Sequence, residues 1–256
     1  MEWTSYLDHV RADSALIAAA AKKGLEPDVP CCEGWTVYDL VGHMGEVQRH
    51  KELIVRERHR SAPKQRIRIP ASDRIEWFEE GAEMLLDTLA AADPAEPVWT
   101  WHDPEQTVGF WYRRMAQEAL IHRVDAEQSH GAVSPVDEAL AADGVDEIIT
   151  VMMTGLPEWA SFDGKGNLAC LSIPGRSWSL EEGLFSGASP ATGNEYTDLL
   201  AFEVSDPSAG ITASISGDPV AMDLWLWGRG PLEDLTVDGD AALAETLRQA
   251  AKEATQ

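Results

Sequence analysis

Glu118 and His122 stand four residues apart in the run QEALIHRVDAE, between Gln117 and Glu127. On a helix that spacing sets a carboxylate and an imidazole on one face, about 6 Å apart along the axis. Side chains so placed can share one cation, but two ligands do not make a tight site. A third candidate is His43, in the segment LVGHMGE. It is embedded among Val37, Leu40, Val41, Met44 and Val47, where an imidazole is expected to point inward. A His/His/Glu set leaves a fourth position open, as catalytic zinc sites do. Zinc is borderline soft, so an incoming thiol suits that position. Held there, it would lose its proton and become a nucleophile at neutral pH.

Each residue has a plainer alternative. Glu and His four apart also form ordinary contacts on helix surfaces, and a histidine such as His43 can serve simply as a core or cap residue. Asp125, three past His122, either orients the imidazole from behind or is exposed. Arg123 and Glu127 read as a helix-surface ion pair, worth on the order of a few tenths of a kcal/mol. His9, His50, His59, His102 and His130 read as solvated or local.

The elements that must carry these residues follow from the apolar spacing. Residues 3–23 have a helical repeat built on Trp3, Leu7, Val10, Leu16 and Ile17. Pro30 and Gly34 break it, and Thr36 is the N-cap of a second helix with Asp39 three residues on, in the manner of a capping box. A linker with two prolines, SAPKQRIRIPAS, leads to a third helix capped by Ser72 or Asp73. A fourth runs from about 109 to 129 and carries Glu118 and His122. Four helices of this length suit a bundle. The segment from Ser134 continues helical, with Ser134 capping and Pro135 in the first turn. Past about residue 161 the pattern changes to short alternating runs such as GNLACLSI, LLAFEVS and GITASISG, bounded by Gly and Pro, which is strand grammar. A short helix capped by Asp218, a last strand and a last helix follow. The expectation is a two-domain α+β chain: a helical bundle over 1–160 and a small α+β domain over 161–256.

Composition bounds the partners. The chain has 256 residues and a formal net charge of -24. Residues 1–70 are near neutral, with 11 Lys/Arg against 10 Asp/Glu, so nearly all the excess acid lies beyond them. Such a charge argues against nucleic acid and anionic membranes as partners. There are three cysteines, two of them adjacent (Cys31, Cys32), and no CxxC, which fits neither a disulfide scaffold nor a Cys-rich zinc module. No signal-like start and no apolar run of about 18 residues appears, so a reduced cytoplasmic protein is expected.

Three segments together, GWTVYDLVGHMGEV, FWYRRMAQEALIHRVDAEQSHG and DLWLWGRGPLEDLTVDGDAAL, resemble the actinobacterial mycothiol-dependent maleylpyruvate isomerase family. The resemblance covers most of the chain. It implies a DinB-like four-helix metal-binding domain followed by a sterol-carrier-like α+β domain. It implies a metal triad of His43, Glu118 and His122, a divalent metal of the zinc class, mycothiol as thiol cosubstrate and a catalytic role for Arg229 in the WGR step. From the residues alone, Arg229 either holds a carboxylate of a ligand or pairs with Asp223 or Glu233.

Three functions compete. The first is a metal-dependent enzyme whose thiol attacks a small, carboxylate-bearing electrophile in thiol transfer or cis–trans isomerisation. The second is a non-catalytic metal-binding or regulatory module that uses Trp225 and Trp227 to hold a ligand, the alternative being that both are core. The third is a metal-dependent hydrolase, for which only Asp125 and Glu46 offer themselves as general base.

Overall fold

The computed structural model describes residues 1–190 and 192–255. The chain divides into two compact units, Met1–Pro135 and Val136–Gln256.

The first unit is a four-helix bundle: α1 (Trp3–Ala21), α2 (Val37–Arg56), α3 (Arg74–Ala91) and α4 (Val108–Gln128). The start of α2 is fixed as the sequence suggests. Asp39 Oδ2 accepts from the Thr36 backbone N–H at 3.1 Å and from its hydroxyl at 2.7 Å, tying the first turn to the cap residue. Two glycines on α2 admit α3 at close range. A Cβ at Gly45 would lie 2.4 Å from the Trp77 ring, and one at Gly42 2.9 Å from the Arg74 guanidinium. Leu40, Val41 and Met44 pack with Ile17, Phe78 and Ala119 in a common core.

Helix α4 is the central element. Seventeen of its twenty-one residues are buried, among them Arg114, Arg123, Asp125 and Glu127, so its charged side chains have no solvated face and must find partners inside. Arg123 and Glu127 therefore depart from the helix-surface reading. Arg123 Nε donates to Asp13 Oδ1 on α1 at 3.0 Å, and Nη1 donates to Glu127 Oε2 at 3.0 Å and to the Ser134 carbonyl at 2.7 Å. Ser134 is drawn into the same cluster, donating its hydroxyl to Glu127 Oε1 at 2.6 Å. It is consequently not the cap of the next helix. That role falls to Asp137, whose carboxylate accepts from the N–H groups of Ala139 and Leu140.

The second unit opens with α5 (Glu138–Glu147) and a π-helical turn, Ile148–Met153. Helical periodicity groups this segment with the bundle. By packing it lies in the second unit, where Leu140, Ala141, Val145 and Ile148 are buried and α5 packs on α6. A five-stranded sheet follows: β1 (Ala160–Ile173), β2 (Arg176–Ala188), β3 (Glu195–Val204), β4 (Ala213–Ser216) and β5 (Thr236–Gly239), in the order β3-β2-β1-β4-β5. Among the described residues only the β1–β4 pair is parallel. Between β4 and β5 lies α6 (Pro219–Leu226), with Asp218 capping the N–H groups of Val220 and Ala221. The amphipathic α7 (Ala241–Ala254) packs on the sheet through Leu243 and Leu247. No helix among the described residues is long and apolar enough to cross a membrane.

Candidate metal centre

His43 on α2 and the Glu118/His122 pair on α4 meet in the bundle. His43 Nε2 lies 3.3 Å and His122 Nε2 3.5 Å from the same oxygen, Glu118 Oε1. One ligand atom from each of the three residues falls within 4.8 Å of the others, a spacing that one divalent ion can bridge. The side chains are only partly covered: His43 is 32 % exposed, Glu118 20 % and His122 13 %. The centre is thus set in protein but reachable from the His43 side.

The groups behind the triad fix its orientation. His122 Nδ1 is 3.0 Å from Asp125 Oδ2, which leaves Nε2 as the nitrogen facing His43 and Glu118. This settles the choice for Asp125: it is fully buried and braces the imidazole, as carboxylates do behind metal-binding histidines. Arg114, one turn before Glu118, donates Nη2 to Glu118 Oε2 at 3.2 Å and so leaves Oε1 turned to the histidines. Trp35 closes one side, its ring 4.9 Å from that of His43 and 6.3 Å from that of His122, nearly parallel to the latter. The Cys32 thiol reaches Asp125 Oδ2 at 3.7 Å.

Charge balance follows from these contacts. Burial pushes the Glu118 carboxyl up, but hydrogen bonds from His122 and His43 and the charges of His122 and Arg114 outweigh it and hold the group well below the usual carboxylate range. Burial also lowers His122, yet the hydrogen bonds to Asp125 and Glu118 dominate and raise it to about 9.

Two features were not legible in the sequence: Trp35 as a wall, and Cys32 behind Asp125. Arg114 did carry a signal, its spacing of four from Glu118, but the same spacing is common on helix surfaces. Arg229 lies just beyond α6 in the second unit. Its Nη1 donates to the Trp227 carbonyl at 2.6 Å, and its guanidinium carbon sits 5.9 Å from the Trp227 ring centre. Trp225 is fully buried and Trp227 nearly so, as core tryptophans are.

A four-helix bundle that brings two histidines and a glutamate from two helices together, followed by an α+β unit, defines a class of two-unit proteins with a candidate metal site in the bundle. Residues 7–127 match the mycothiol maleylpyruvate isomerase N-terminal domain, and residues 139–246 match the C-terminal domain of the same proteins. The chain belongs to the mycothiol-dependent maleylpyruvate isomerase family. Among solved structures it is similar to mycothiol-dependent maleylpyruvate isomerase (TM-score 0.53) and to a histidine-to-alanine mutant of that enzyme (TM-score 0.56). Each is 14 % identical over 94 % of this chain and 95 % of that one, so the likeness concerns the fold. No curated protein matches the chain in sequence.

Proposed function

We propose that this protein is a metal-dependent enzyme in which a low-molecular-weight thiol, mycothiol, serves as nucleophile. It acts on a small carboxylate-bearing electrophile, by thiol transfer or by addition, bond rotation and elimination that isomerises a cis double bond. The observation that carries this reading is the convergence of His43 Nε2, His122 Nε2 and Glu118 Oε1 on one point, with the other nitrogen of His122 engaged by Asp125. A divalent ion of the zinc class bound there would stabilise the thiolate and polarise the electrophile.

The chain's own residues supply orientation. Asp125 sets which nitrogen of His122 is presented, Arg114 aims Glu118, and Trp35 keeps water from one side of the imidazoles. The partial exposure of His43 leaves an approach for small molecules. Arg229 enters the proposal from the family resemblance, as the residue that holds an anionic group of the reactants. The acidic chain favours small molecules over nucleic acid as partners, and a reducing cytoplasm suits a protein whose described cysteines form no disulfide.

The test joins two measurements on one preparation: metal content by elemental analysis and mycothiol binding by calorimetry. About one ion per chain with saturable thiol binding is expected. Metal without thiol affinity would favour a hydrolase or a binding module, and absence of both would refute the reading.

A further inference from the structure

Lys51 is a cation without a counter-ion, close to the metal centre. It lies on α2 two turns beyond His43, about 12 Å along the helix axis. Helical side chains lean toward the N-terminus of their own helix, so Lys51 leans back toward His43. The position along α4 agrees: the Lys51 ammonium sits 4.8 Å from the ring centre of Trp111, two turns before Glu118. Glu118 is also the strongest charge acting on it.

Its immediate contacts leave its charge unneutralised. Lys51 Nζ donates to His50 Nδ1 at 3.1 Å. Burial and the neighbouring Lys51 depress His50 to about 4, so the acceptor is a neutral imidazole. The other contact is the face of an indole. Among the described residues no carboxylate pairs with Lys51. Glu118, the nearest strong candidate, is already engaged by Arg114, His43 and His122. Largely buried charges are ordinarily paired. Arg114 adds positive charge nearby and Glu46, five residues back on α2, adds negative charge, but among the described residues no ion pair joins Glu46 to Lys51.

We propose that Lys51 is an anion-binding residue of this site, and that its missing partner is a carboxylate of the small electrophilic ligand. This rests on the proposed metal centre for its purpose, since Lys51 would hold one end of a molecule whose other end reaches the triad. The anchor lies in the bundle itself and is separate from any contribution of Arg229. An ammonium held by a neutral acceptor and an aromatic face is already desolvated, so a carboxylate arriving there gains more than it would at an exposed lysine.

The probe is succinate, titrated calorimetrically into metal-free and cobalt-loaded protein at low ionic strength. Wild type should bind it in both forms. Lys51→Met should bind it about tenfold or more weakly in both, the size expected for loss of one charge-assisted hydrogen bond. Lys51→Arg should recover part of the affinity, which separates anion binding from a role as proton carrier. Arg66→Ala, an exposed linker cation, should change nothing. Absence of saturable succinate binding by wild type, or equal affinity in wild type and Lys51→Met, overturns the assignment. Failure of wild type to take up cobalt refutes the metal reading instead, and the metal-free titration still decides Lys51.

Discussion

His122 Nδ1 rests 3.0 Å from the fully buried Asp125 Oδ2, and this one contact determines which face of the imidazole meets His43 and Glu118. A histidine that could turn its ring would offer either nitrogen. With Nδ1 engaged, Nε2 alone is presented, and the triad converges.

The metal centre is tested first by deletion. His122→Ala is expected to abolish most metal retention, and Asp125→Ala to weaken affinity by about 10–100-fold, the usual cost of losing a carboxylate behind a ligating histidine. Cobalt uptake against a chelator measures both. Equal retention by wild type and His122→Ala would remove the triad.

Arg123 concerns stability and not the metal. Its guanidinium is buried between Asp13 and Glu127, so Arg123→Ala leaves two buried carboxylates without their cation. A loss of about 3–5 kcal/mol is expected, measured by urea denaturation, with metal content per folded molecule unchanged. A loss below about 0.5 kcal/mol would return the pair to the class of exposed helix contacts.

Acid should destabilise the fold through His50. Burial, then Lys51 and His59, lower its pKa from 6.5 to about 4 in the folded state. Between those values the unfolded chain binds more protons than the folded one, so this contribution is present above pH 6.5 and is lost as pH falls toward 4. His50→Gln should therefore lose less melting temperature than wild type between pH 7 and pH 5. Identical losses would show that His50 titrates normally.

Arg229 separates a role in turnover from a role in folding. If it holds an anionic group of the reactants, Arg229→Ala should lower activity by roughly 1.5–3 kcal/mol of transition-state stabilisation, with metal content unaffected. Arg229→Lys should restore only part, since the guanidinium fork is lost. A lowered melting temperature with unchanged turnover per folded molecule would leave it a structural residue, consistent with its bond to the Trp227 carbonyl.

The sequence by itself determined the local features. Thr36 with Asp39 and Asp218 with Pro219 mark helix starts because caps act over three or four residues. The spacing of Glu118 and His122 placed two candidate ligands on one helix face because that geometry is set within a single turn. The change from helical to alternating pattern marked the sheet, although β1 and β2 run longer than the apolar runs suggested, through glycines and charged residues that only pairing holds extended.

Tertiary structure decided what depends on neighbours distant in the chain. The charges of α4 look solvated in sequence, yet the helix runs through the middle of the bundle, so Arg123 and Glu127 form a buried network that also takes Ser134 from its expected cap. Helix α5 has the same periodicity as the bundle helices, but an apolar stripe does not name its partner, and this one packs on α6. Whether Asp125 is exposed, which ring covers the histidines, and that Lys51 lies beside Trp111 without a counter-ion all depend on how α2 lies against α4. That crossing is set by side-chain packing among several helices, which no spacing along one segment encodes.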